Sequence, residues 1–150
     1  MKLAIGSDHA GFEMRHALVT WLRTPEGGKH QVLDLGCGSP ESCDYPDFAA
    51  AVARAVSAKR VSRGILICGT GIGMAMAANK VRGIRAAVAW NPEVAGLAAE
   101  HNKANVLCLP ARYVSTKEAE TMIHRFLTTA FGGSRHARRV RKIDQLLAPE

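Results

Sequence analysis

Gly64-Ile65-Leu66-Ile67-Cys68 is apolar at every position and stops against Gly69-Thr70-Gly71-Ile72-Gly73. A strand with one wet face alternates apolar and polar residues. A strand apolar throughout needs cover on both faces, the situation of a parallel sheet whose crossover helices pack above and below. This one segment restricts the chain to layered α/β architectures. Behind the glycine-rich turn an Ala-rich helical stretch runs from Met74 to Asn79, completing a strand-turn-helix step.

The same step recurs along the chain. Residues 2–6, 31–35, 105–109 and those near 85–90 read as further strands. Met14, Leu18, Trp21 and Leu22 recur at helical spacing, as do Phe48, Val52, Ala55 and Val56. Asn91-Pro92 opens another helix. Ala119, Met122, Ile123, Phe126 and Leu127 mark a fifth, and Val140, Ile143 and Leu147 a last one. The expected fold is α/β: a three-layer, Rossmann-like doubly wound parallel sheet of about five strands with an extended C-terminal helix.

At 150 residues with 47% apolar content the chain is sized for a single domain, residues 1–150, around one core. No window reaches the roughly 18 apolar residues of a membrane helix, and the start breaks too early for a signal peptide, so a cytoplasmic protein with no membrane partner is expected. Cys37, Cys43, Cys68 and Cys108 then read as reduced thiols. Cys37 and Cys43 lack a nearby His at ligand spacing, so no metal site is expected.

The formal charge of +7 calls for an anionic partner or only a soluble basic surface. Much of the excess sits in Arg135, Arg138, Arg139, Arg141 and Lys142 around His136. Such a cluster attracts nucleic acid by its field, which makes a basic nucleic-acid-binding α/β domain the rival from another class. The chain lacks the aromatic platforms or zinc spacing of such a module, and no nucleic-acid partner is expected. Arg138, Arg141 and Lys142 read as a solvated helix face.

Ligands of doubly wound sheets bind beyond the carboxyl ends of the strands. The residues there are unusually polar: Ser7-Asp8-His9-Ala10-Gly11 after the first strand, Asp44-Tyr45-Pro46 after the second, Cys68 to Gly73 after the third. His101-Asn102 precedes the last strand and Pro110-Ala111-Arg112 follows it. All are expected to converge on one mouth. The glycine turn is not a dinucleotide fingerprint, because its third glycine comes one residue early, and no Gly-Lys-Ser/Thr makes a P-loop. It remains a strand-to-helix turn whose bare N–H groups face an anion or oxyanion. A thiol at its head, Cys68, feels the positive helix start and is a plausible base or nucleophile.

These motifs, together with Ala78-Asn79-Lys80 and Gly133-Ser134-Arg135-His136 with Arg139, resemble in order and over essentially the whole chain the ribose-5-phosphate isomerase B family. One branch of that family carries a glutamate base a few residues after the cysteine position; Met74 stands where that glutamate is expected, so the chain resembles the cysteine branch. The resemblance implies interconversion of D-ribose 5-phosphate and D-ribulose 5-phosphate through a cis-enediolate, in the non-oxidative pentose phosphate pathway, without cofactor.

It further implies Cys68 as the base, with the Gly69, Gly71 and Gly73 backbone and Asn102 stabilising the enediolate. His101, aided by Asp8 and Thr70, would open the sugar ring. Tyr45 would lie near the sugar, and His9, Arg112, Arg135 and Arg139 would bind phosphate. Family members form homodimers, or tetramers, whose sites are shared between subunits. Galactose 6-phosphate or allose 6-phosphate remains an alternative substrate.

Overall fold

The computed structural model describes residues 1–146. The elements run β1 (Lys2–Ser7), α1 (Phe12–Arg23), β2 (Gln31–Asp34), α2 (Tyr45–Ser57), β3 (Arg63–Cys68), α3 (Ile72–Ala78), β4 (Ala86–Val88), α4 (Pro92–Asn102), β5 (Val106–Pro110), α5 (Thr116–Thr128) and α6 (Ser134–Gln145). The strands form one parallel sheet in the order β2-β1-β3-β5-β4. The doubly wound α/β expectation therefore holds. Leu147, assigned to the last helix by its spacing, lies outside the described residues.

Side-chain alternation along the central strands explains both cores. Leu3, Ile5, Ile65, Ile67, Leu107 and Leu109 face the layer of α1, α4 and α5, against Leu18, Met122 and Phe126. Ala4, Leu66, Cys68, Val106 and Cys108 face the other layer, against Val52 of α2 and Met74 of α3. Complete burial of each Leu or Ile contributes about 1.5–3 kcal/mol, so the sheet is held from both sides at once. Cys68, at the end of β3, is thereby aimed at the α2/α3 side.

The fourth strand is shorter than expected. It lies at the sheet edge, pairing only with β5 in the strand order, and the chain must turn at Asn91, whose Oδ1 caps α4 by accepting from the Val94 N–H at 2.8 Å. The open edge is covered by one side chain: Asn79 Nδ2 donates to the Ala86 carbonyl at 2.9 Å, and its Oδ1 accepts from the Ala86 N–H at 2.8 Å. The Ala78-Asn79-Lys80 motif thus has a structural explanation, a side chain standing in for a neighbouring strand.

Candidate active site

Strand order reverses between β1 and β3, because β2 lies outside β1 while β5 and β4 lie outside β3. At this switch point the loops after β1 and β3 separate and leave a cleft. It has a volume of about 420 Å³ and is lined by Asp8, His9, Tyr45, Cys68, Thr70 and Arg112, among others. The structure brings these sequence-predicted residues together.

Each side chain is held by local geometry. Asp8 turns the chain out of β1: its Oδ1 accepts from the Ala10 and Gly11 N–H groups at 2.9 and 3.2 Å. His9 Nδ1 accepts from the Cys43 N–H at 3.2 Å, so the neutral ring carries its proton on Nε2. The buried Cys68 Sγ accepts from the Gly71 N–H at 3.1 Å. Gly71 has φ +74°, a left-handed conformation that favours glycine.

The other two glycines are bare for a steric reason. A Cβ on Gly69 would lie 3.0 Å from Arg112 Cζ, and one on Gly73 would lie 2.6 Å from Tyr45 Cζ. Arg112 and Tyr45 rest on the turn itself. The turn also offers fewer free donors than its glycines imply, since Gly71 N–H is committed to Cys68 and Ile72 N–H donates to Thr70 Oγ1 at 3.3 Å.

Cys108 is a different kind of thiol. It is fully buried, and burial followed by the neighbouring Cys68 pushes its pKa far up, leaving it protonated packing. Met74 is likewise core, with 0% exposure.

His101, Asn102, Arg135 and Arg139 do not line this cleft within their own chain. Helix α4 starts beside the carboxyl end of β4 and runs back to the opposite edge. Asn105, just after it, accepts from the N–H of Gly64 at the start of β3 at 2.9 Å. His101 and Asn102 therefore lie near the amino edge, a strand length or roughly 13 Å from Cys68 along the sheet. There the His101 and His136 rings stack, with centroids 4.2 Å apart and planes at 11°. Desolvation first, then His101, Arg135 and Arg139, lowers the His136 pKa. Arg135 and Arg139 stand at this end beside the carboxylate of Glu100, which lies 4.0 Å from His101 Nε2 and works in the opposite direction on His136.

The family model described as Ribose/Galactose Isomerase matches residues 3–143. This chain belongs to the ribose/galactose isomerase family. Among similar proteins, the ribose-5-phosphate isomerase B of Escherichia coli is 44% identical over 142 residues, covering 95% of this chain and 93% of that protein. The crystal structure of a ribose 5-phosphate isomerase from Thermotoga maritima superposes with a TM-score of 0.91 at 46% identity, covering 96% and 97% of the two chains. That of ribose-5-phosphate isomerase B from Mycoplasma genitalium, with bound ribulose-5-phosphate, gives 0.90 at 41% identity, covering 97% and 95%.

As a ribose/galactose isomerase, the chain has two features that sequence reading missed. Arg15, a charged residue on the inner side of α1, is 2% exposed and braces the segment that carries Asp8 and His9. Its Nη1 donates to Ser7 Oγ at 2.9 Å and its Nη2 to the Cys37 carbonyl at 2.7 Å. Its place on the buried stripe with Leu18 and Leu22 was the available signal. The second feature is an apolar rim. Ile72 (56% exposed), Met76 (66%) and Trp90 (61%) stand uncovered at the carboxyl edge, with Ile72 and Met76 lining the cleft. Among the described residues no helix is long and apolar enough to cross a membrane.

Proposed function

We propose that residues 1–150 form one isomerase domain that interconverts ribose 5-phosphate and ribulose 5-phosphate, using Cys68 as the base. The convergence of Cys68, Asp8, Thr70 and His9 on one cleft carries this reading. Cys68 removes the proton beside the carbonyl and returns it to the adjacent carbon, the enediolate oxygen meeting N–H groups of the Gly69 to Gly73 turn. Asp8 Oδ1 is engaged by the backbone, which leaves Oδ2 for a sugar hydroxyl. His9 presents Nε2–H, and with Arg112 it holds phosphate.

A second copy completes the site. It covers the Ile72, Met76 and Trp90 rim and brings its own His101, Asn102, Arg135 and Arg139 to the cleft, where His101 opens the ring and Asn102 joins the oxyanion donors. Two-fold symmetry makes this exchange reciprocal. The cationic cluster on α6 then finds its counter-charge in the substrate phosphate of the other subunit.

The test is turnover with complementation. The wild-type chain should convert ribose 5-phosphate into ribulose 5-phosphate, whereas Cys68→Ala and His101→Asn should each be severely impaired. In randomly mixed dimers of the two variants, about a quarter of all sites draw intact residues from both chains, so about a quarter of the activity should return. No recovery on mixing would place the whole site within one chain.

The basic tail supplies a second test. Replacing Arg135 or Arg139 by Ala removes a charge-assisted phosphate contact of about 1.5–3 kcal/mol, so KM should rise at least about tenfold with kcat little changed. Lys should rescue only partly, for it lacks the planar fork. Arg138→Ala and Lys142→Ala should leave KM unchanged; equal small losses at all four positions would favour the nucleic-acid reading.

A further inference from the structure

At the amino edge of the sheet, the end that doubly wound folds do not ordinarily use for ligands, lies an open cleft of about 700 Å³. Lys2, Lys59, Arg60, Arg63, Arg85 and Lys103 line it, and no Asp or Glu does. Lys59, Arg60 and Arg63 come from one run between α2 and the start of β3, and the topology adds Lys2 from the start of β1, Arg85 from the segment before β4 and Lys103 from the end of α4.

Their backbone frame is tightly tied. The Ser62 N–H donates to the Lys2 carbonyl at 2.8 Å, the Arg85 N–H to Asn105 Oδ1 at 2.8 Å, and Arg85 Nε to the Lys103 carbonyl at 2.9 Å.

Ordinary compensation does not neutralise this charge. Among the ion pairs of the described residues, Arg85 alone of these cations has a carboxylate partner, Asp144 at 3.0 Å. Helices α2 and α4 end nearby, at Ser57 and Asn102, and their negative ends supply roughly half a charge each. Against six lining cations, one carboxylate and two helix ends leave about +4. Arg63 feels the deficit: it is half-buried, and burial first and the Arg85 charge second work against its cation. Holding guanidinium groups of like charge in a concave, partly desolvated site is costly unless an anion joins them.

We propose that this cleft is a second anion site, separate from the isomerase cleft, that binds a linear triphosphate chain. Such a chain carries about four negative charges near neutral pH, which matches the uncompensated charge, and offers several oxygens to Arg60 and Arg63. A free inorganic polyphosphate and a nucleoside triphosphate share this chemistry.

Titration calorimetry of the full chain with inorganic tripolyphosphate at about 0.15 M salt tests the proposal. Binding should weaken about tenfold in Arg63→Gln and in Arg60→Gln, each of which removes a charge-assisted contact. Arg63→Lys should lose less, and Arg112→Ala, in the other cleft, should leave binding unchanged. Isomerase KM should be unaltered in Arg60→Gln. ATP binding as tightly as tripolyphosphate supports recognition of the phosphate chain alone.

Three results would overturn the site: no tripolyphosphate binding at millimolar concentration, binding reduced by Arg112→Ala but not by Arg63→Gln, or ATP binding without tripolyphosphate binding. A single-stranded oligonucleotide that binds through Arg63 where tripolyphosphate does not would replace it with a nucleic-acid surface.

Discussion

Cys68→Ala is expected to lower kcat by about three orders of magnitude, the middle of the range for loss of a positioned general base, while KM changes little. The asymmetry follows from the arrangement of the cleft. The sulfur sits at the end of β3, held by the Gly71 N–H, whereas His9 and Arg112 stand on other loops and are not displaced by its removal. A phosphate-bearing competitive inhibitor should therefore bind the variant as it binds the wild type.

Iodoacetamide should inactivate the enzyme at Cys68, more slowly with substrate present, and peptide mapping should find Cys108 unmodified because it is fully buried with a raised pKa. Residual turnover above a tenth of wild type in Cys68→Ala would remove this thiol as the base.

Arg15→Met should produce the largest loss of stability, about 3 kcal/mol. The guanidinium is a buried tie between α1 and the exits of two strands. Besides its hydrogen bonds to Ser7 Oγ and the Cys37 carbonyl, its Nε lies 3.1 Å from Asp34 Oδ1, close enough for an ion pair though not aligned as a hydrogen bond. Methionine fills most of the volume but leaves the buried Ser7 hydroxyl and the Cys37 carbonyl without this donor.

Gly36 reports on the same tie, for a Cβ there would stand 1.7 Å from Arg15 Nη1, so Gly36→Ala should be destabilising by displacing the guanidinium. In urea the midpoint of Arg15→Met should fall by roughly 1.5 M for a slope near 2 kcal/mol/M. A midpoint within experimental error of wild type would show that water replaces the arginine at no cost.

Much of the architecture was readable from periodicity. The apolar run of β3 forces two-sided cover, and the alternating cores of Ile65 and Ile67 against Leu66 and Cys68 are its direct consequence. The polar residues after β1 and β3 had to share one edge, because parallel strands all end on the same side. The family resemblance added roles that residue types alone do not assign.

Tertiary structure decided three things that local pattern does not carry. Arg15 lies on the buried stripe of α1, but only docking of that helix sets it against Ser7 and Cys37, since a helix period marks a face but not the polar groups that face will meet. Lys2, Arg63, Arg85 and Lys103 are separated in the chain by 18 residues or more and become one cleft only through strand order. His101 and Asn102 follow the same rule in reverse: a crossover helix that starts at the carboxyl edge must end at the amino edge. Residues close to the site by motif are thereby carried to the opposite end of their own subunit, because helix direction, rather than sequence proximity, sets where a side chain arrives.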